Sequence, residues 1–319
     1  MRTRSFGKLG NVSALTLGGG GLGQLWGPTT RDECVALARE AIDSGITLLD
    51  MAPSYGNGEA ESVIGEAFGG TLPDGVRVTT KCRVGETPPA DIPALLEASL
   101  AESLARMKLD RVDIFFLHNW VTGDGAPTHD RGTARSVVES TVAPTMQRLV
   151  DEGRVGAWGL TGIGDPPVLI DMLDSGSARP DFMQVMANLL DSPGGLKYPD
   201  SPAMPREILG AAARAGVSVM GIRAVQAGAL TSALDRPKPA DNPETLDFQR
   251  AAPFRDIAAE VGQSPAFLAH QYALSMDGPS TIVLGVKNRE ELQECIAAEA
   301  VGPMDPALIA RIDAAVGRV

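Results

Sequence analysis

Four polar side chains stand where apolar runs end. The run 46–49 is followed at once by Asp50, and Tyr55 comes soon after in the stretch Pro53-Ser54-Tyr55-Gly56. A buried carboxylate is costly unless a cation accompanies it. A phenol, with an ordinary pKa of about 10, donates a proton near neutrality only if something favours its phenolate. One lysine would meet both needs, and the segment 76–80, read as the next strand, leads into Lys81. The strand after that, 111–117, leads into His118. The chemistry these residues describe is proton transfer: a hydroxyl beside a cation that a carboxylate holds, with an imidazole at the neighbouring strand end.

Such a grouping needs parallel strands whose ends share one rim, and the remainder of the chain supplies them. Short apolar runs alternate with helical patterns throughout. Strands are expected at 15–17, 46–50, 76–80, 111–117, 155–160, 182–187, 217–222 and 281–284, with helices between them at 30–45, 59–68, 91–107, 135–152, 166–175, 205–215, 264–276 and 289–299. Thr30 with Glu33 reads as a capping box opening the first of these helices. Strands alternating with helices imply a parallel sheet, and eight such units imply a (β/α)8 TIM barrel. An N-terminal hairpin turning at Lys8-Leu9-Gly10-Asn11 and a C-terminal helix at 305–316 complete it, in one domain over 1–319. The insertions 120–134, 188–204 and 223–262 follow strands, so they belong to the rim where such barrels keep their sites. The string Gly18-Gly19-Gly20-Gly21-Leu22-Gly23 matches a dinucleotide fingerprint, with Asp43 at the spacing of a ribose-binding acid. No helical pattern begins at its last glycines, so it reads instead as a barrel strand ending in a loop, with Gly20 and Gly21 laying bare backbone close to a ligand.

The composition narrows the function. Of 319 residues, 44% are hydrophobic and 21% charged, and the net charge of -12 includes no basic block, which argues against nucleic acid or an anionic membrane as partner. The opening MRTRSFGKLGN lacks an apolar signal core, and no apolar run reaches membrane-spanning length. Cys34, Cys82 and Cys295 are scattered and odd in number, as expected of reduced thiols in a cytoplasmic enzyme. His118, His129 and His270 have no metal-ligand spacing, so no metal is expected.

The blocks GITLLDMAPSYGNGEAESVIGEAF, RVTTKC, RVDIFFLHNW and VLGVKNREELQEC, and the intervals between them, resemble the aldo-keto reductases nearly end to end. The resemblance implies reversible reduction of a ketone or aldehyde by NADPH, with NADH possible. In it Tyr55 is the general acid and Lys81 lowers the phenol's pKa toward about 7, a shift of about 4 kcal/mol. Asp50 holds Lys81, and His118 hydrogen-bonds the carbonyl oxygen.

It also implies the cofactor groove. Thr161 would offer a hydroxyl to the nicotinamide carboxamide, beside Gly162 where relatives carry a side chain. Gln184 stands in place of the family's glutamine. The stretch Ile222-Arg223-Ala224-Val225-Gln226, with Gly228 and Leu230, would fold over the pyrophosphate, Arg223 reaching the carboxamide or the phosphates. The adenosine end would lie on Leu284-Gly285-Val286-Lys287 and the following helix, with Glu294 and Cys295 near the adenine. Lys287 and Arg289 favour a 2′-phosphate, and Glu291 disfavours it.

Trp26 and Trp120, in loops after the first and fourth strands, read as an apolar wall of the substrate pocket with Tyr55 and His118, and Met51 adds bulk beneath it. With only Asp124, Asp130, Arg131 and Arg223 as nearby charges, a neutral, moderately bulky carbonyl compound or alcohol is the expected substrate. The alternative is a regulatory module of the same fold that binds the nucleotide without turnover. Nothing in the sequence marks an oligomer interface.

Overall fold

The computed structural model describes residues 1–126, 130–234, 236 and 238–318. His129 and its two preceding residues lie outside that range.

Eight parallel strands close into a (β/α)8 barrel. They are β1 (Leu15–Gly18), β2 (Leu48–Asp50), β3 (Arg77–Cys82), β4 (Val112–Leu117), β5 (Val155–Thr161), β6 (Phe182–Met186), β7 (Ser218–Ile222) and β8 (Pro279–Leu284). Their order in space is their order in sequence, and β8 pairs back onto β1 through Ile282 opposite Leu15. An antiparallel hairpin, Thr3–Ser5 against Asn11–Ser13, lies outside the barrel.

The period of two along each strand sorts the interior into layers. Leu48, Ile114, Phe116, Ala157, Phe182 and Met220 form one apolar cluster with Phe6 and Val12 of the hairpin segment. The Phe6 and Phe182 rings lie 4.5 Å apart. Two residues further along the same strands stand Asp50 after Leu48, His118 after Phe116 and Gln184 after Phe182. An apolar floor thus carries a polar layer at the C-terminal rim. A second, larger apolar cluster fills the space between strands and helices, as alternation on the strands' other face requires.

Strand β3 extends to Cys82, past the expected end at Thr80, so Lys81 lies inside a strand rather than after one. Its neighbours Thr79 and Thr80 are β-branched and buried, which favours continued pairing with β4. The glycine string is not a plain loop: Gly19–Leu22 makes a single helical turn. Thr30 caps the helix Arg31–Asp43 by accepting from the Glu33 amide. The capping box is only half made, because the Glu33 carboxylate turns instead to Arg289.

The insertions have structure of their own. Trp120–Thr122 pairs with Gly132–Ala134 in a two-stranded parallel sheet, and 223–262 contains the helices Pro243–Arg250 and Ala252–Glu260. The expected helix 135–152 is interrupted by a wide π turn at Val138–Val142, ending two residues before Pro144, which has no amide to donate.

Candidate active site

Asp50 is the hub. It is 2% exposed, and its Oδ1 accepts from Lys81 Nζ at 2.9 Å, Thr79 Oγ1 at 2.7 Å and Gln184 Nε2 at 2.8 Å. Lys81, wholly buried, also donates to the Met51 carbonyl oxygen at 2.8 Å. Its Nζ lies 4.8 Å from the centre of the Tyr55 ring. The His118 ring stands edge-on to Tyr55 with centres 6.0 Å apart. The four residues singled out in the sequence therefore meet, and Thr79 joins them.

Their electrostatics differ from the sequence expectation at one point. Burial works to lower the Lys81 ammonium, but Asp50 and then Tyr55 outweigh it, so Lys81 sits above its ordinary value. Burial pushes the Tyr55 phenol above its ordinary value, and the pull of Lys81 in the other direction does not overcome this. The direction is opposite to the expected fall toward about 7, because desolvation in the cleft outweighs Lys81 and Asp50 adds to it. His118 is held well below its usual range by burial, then by the charges of Lys81 and Arg83. At neutral pH the site presents a neutral phenol, a neutral imidazole and a neutralised ammonium–carboxylate pair.

A cavity of about 720 Å³ opens on this layer, within the size range of small-molecule sites. Asp50, Tyr55 and His118 line it, as do Gly20, Thr161, Gln184, Ile222, Arg223, Ala224, Val225, Gly228, Leu284, Gly285, Val286, Lys287, Glu291, Glu294, Cys295, Trp26 and Trp120. Lys81 is not on its surface but beneath it.

Gly21, Gly162, Gln226 and Leu230 do not line the cavity either, and packing explains each. A Cβ at Gly21 would lie 1.7 Å from the Val286 carbonyl oxygen, so its bare backbone serves the crossing of the β1 turn over β8 rather than a ligand. A Cβ at Gly162 would lie 2.6 Å from the Gln184 carbonyl oxygen. Leu230 belongs to the outer core. Gln226 donates to Asp247 Oδ2 at 2.7 Å and accepts from Arg223 Nε at 2.8 Å.

Arg223 is also committed elsewhere, donating to Glu244 Oε1 at 3.0 Å from a left-handed backbone, φ 61°. Gly195 N at 3.0 Å and Lys238 Nζ at 3.3 Å complete the set around Glu244. Burial would raise this carboxyl, but these donors hold it down to about 2. Glu244 thereby ties the segment after β7 to the loop after β6, and two Arg223 nitrogens are engaged within the protein although the residue lines the cavity.

At the β8 end, Lys287 pairs with Glu291 through Nζ, and its amide donates to the same carboxylate at 3.0 Å. Arg289 turns away to Glu33 at 3.1 Å. Glu294 accepts from the Ser264 hydroxyl, and the Cys295 sulfur lies 3.6 Å from the His270 ring. The Thr161 hydroxyl donates to the Leu117 carbonyl at 3.0 Å, leaving its lone pairs to accept.

The two tryptophans separate. A Cβ at Gly20 would fall 2.6 Å from Trp26 Nε1 and one at Gly285 3.8 Å from it, so Trp26 lies on the cavity wall between the β1 turn and the loop after β8. Its buried N–H has no partner among the described residues. Trp120 stays by the catalytic layer, packed edge-on against Tyr198 at 5.8 Å. The cavity also takes in residues the sequence reading passed over: Arg83, Thr231, Ser232, Arg236, Lys238 and Ser264. For Arg83 the signal was present, since it stands two residues after Lys81 and so continues the face of β3 that carries it.

Among the described residues no group of three or more His, Cys, Asp or Glu could hold a metal ion, and no helix is long and apolar enough to cross a membrane.

The fold has known counterparts. An aldo-keto reductase from Bacillus halodurans in its holo form superposes with a TM-score of 0.73 over 99% of this chain and 96% of that one, at 20% identity. Another from Klebsiella pneumoniae, in complex with NADPH, gives 0.71 over 100% and 96%, at 22% identity. In sequence, the L-galactose dehydrogenase of Arabidopsis thaliana is 28% identical over 98% of this chain and 93% of its own. A model of the aldo/keto reductase family matches residues 14–316, which takes in all eight strands and every member of the catalytic layer. The chain belongs to the aldo/keto reductase family.

Proposed function

We propose that this protein is an NAD(P)H-dependent carbonyl reductase in which Tyr55 supplies the proton. The observation that carries the reading is Tyr55 over the buried Lys81–Asp50 pair, edge-on to His118, in the floor of the cavity. A reduced nicotinamide nucleotide fits this cleft: a hydroxyl and an amide, Thr161 and Gln184, stand by the catalytic layer, and an orphaned indole N–H faces the far side. Its chemistry when bound is hydride delivery to the carbonyl carbon.

The chain's residues do the rest. His118, neutral and therefore able to donate from one ring nitrogen, orients the carbonyl oxygen and meets its developing charge. Tyr55 gives that oxygen its proton. Lys81 steadies the phenolate left behind, and Asp50, fixed from β3 and β6, keeps the ammonium in place. In the oxidising direction the phenolate takes the proton back.

The cofactor preference turns on Lys287. NADPH is the family's habit, and the Klebsiella pneumoniae relative holds it. Here, however, Glu291 engages the Lys287 ammonium, so a 2′-phosphate must compete with a carboxylate while a ribose diol need not. Both nucleotides belong in the test.

Absorbance at 340 nm, followed with NADPH or NADH and a panel of aldehydes and ketones, is the experiment. Turnover by the wild type that falls by about 10³-fold in Tyr55→Phe is expected from loss of a general acid. Tight nucleotide binding without turnover would favour the regulatory module instead. Equal rates in both proteins would remove Tyr55 from the mechanism.

A further inference from the structure

The expectation of a neutral substrate rested on a short count of charges near the pocket, and Arg83 was not in it. Strand β3 ends at Cys82, and Arg83 follows on the same face as Lys81. At about 3.3 Å per residue, Arg83 rises about 6.6 Å above Lys81 along the strand direction. It lines the cavity beside Tyr55, His118 and Trp120. Most arginines of this protein are committed: Arg31 to Glu59, Arg106 to Glu61, Arg135 to Glu139, Arg206 to Asp191, Arg223 to Glu244. Arg83 makes no side-chain hydrogen bond or ion pair among the described residues.

A second guanidinium, Arg131, comes to the same wall from the loop after β4. Its backbone is fixed there by the hydrogen bond from Trp120 N to Arg131 O at 2.6 Å. The β3 loop meets it at Gly85, where a Cβ would lie 3.3 Å from the Asp130 carbonyl oxygen. Each arginine lies within the other's field, and Asp130 partly offsets them. Arg83 and Arg131 thus bring two guanidinium groups to one wall of the cavity, with Asp130 close by.

Resting on the reductase reading above, we propose that the substrate is an oxo acid: an aldehyde or ketone carrying one carboxylate about 6–7 Å from the reacting carbonyl. The guanidinium of Arg83 receives the carboxylate, for which its planar fork is suited. Arg131 adds charge, and Trp120 packs against the apolar spacer between the two groups.

The test compares 4-carboxybenzaldehyde with its methyl ester, in the wild type and in Arg83→Gln, with the preferred nucleotide saturating. The readout is the ratio of the two kcat/KM values, which does not depend on how much of each protein is active. The wild type is expected to favour the acid, and Arg83→Gln to lower the ratio at least tenfold, mainly through KM for the acid. Raising NaCl should erode the wild-type preference in the same direction. A wild-type ratio at or below one overturns the proposal, as does a ratio unmoved by the substitution, while ester turnover leaves the reductase reading standing. If neither aldehyde is reduced with either nucleotide, the reductase reading fails and this proposal fails with it.

Discussion

Replacing Lys81 by methionine isolates the energetics of the hub. Methionine nearly matches the stem's volume, so the change removes a charge and leaves no large cavity. Asp50, 2% exposed, would keep only the Thr79 and Gln184 donors on Oδ1. Breaking a buried pair by removing one partner costs about 4 kcal/mol. At about 2.1 cal/mol/K per residue, a chain of 319 residues has an unfolding entropy of about 0.67 kcal/mol/K, so Tm should fall by about 6 °C. Adding Asp50→Asn removes the stranded charge yet keeps an acceptor for Thr79 and Gln184. The double variant should therefore regain about 3 °C over Lys81→Met alone. The single variant should also gain stability as pH falls, because its unpaired Asp50 carboxyl takes up a proton more readily folded than unfolded. Thermal unfolding of the wild type, Lys81→Met, Asp50→Asn and the double variant at two pH values is the assay. Additive losses in the double variant, or a Lys81→Met shift under about 1 °C, would refute the claim that Asp50 depends on this cation.

Two further outcomes follow from the site's electrostatics. With Tyr55 raised above its ordinary value and His118 well below its own, neither titrates between pH 7 and 9. Reduction should therefore stay level across that window, while alcohol oxidation, which needs the phenolate, rises with pH. Stopped-flow rates that halve for reduction near pH 7 would mean that Lys81 dominates after all. Glu291→Gln removes one carboxylate from Lys287 and should raise the NADPH-to-NADH ratio of kcat/KM about tenfold, or about 1.4 kcal/mol. A ratio that stays put would show that Lys287 does not meet the 2′-phosphate.

How much of this was legible in the sequence depends on what each feature needs. The barrel was, because eight runs of period two separated by helical runs admit few other arrangements. The meeting of Asp50, Tyr55, Lys81 and His118 was, because each stands at the end of an apolar strand or in the loop that follows one, and so at one rim. Arg83 obeyed the same rule and was lost only because β3 was ended at Thr80, two residues short of its observed end. Arg223 and Lys287 line the cavity as expected, but their pairing with Glu244 and Glu291 was not foreseen. Glu244 lies in an insertion whose path no local pattern dictates, and whether Glu291 would face Lys287 or the ligand depends on a side-chain choice at a helix start. The direction of the Tyr55 shift was beyond reach for a simpler reason: burial is set by the walls of the cleft, which are assembled from eight loops.

The hydrogen bonds on Asp50 have a meaning for the making of the protein. They come from β3, its neighbour, and from β6, 134 residues further along the chain. A nascent chain that has finished only its first half can build the Asp50–Lys81 contact but cannot yet brace it from across the barrel. The full hydrogen-bond set on Asp50 thus forms only once β6 has joined the ring, late in synthesis.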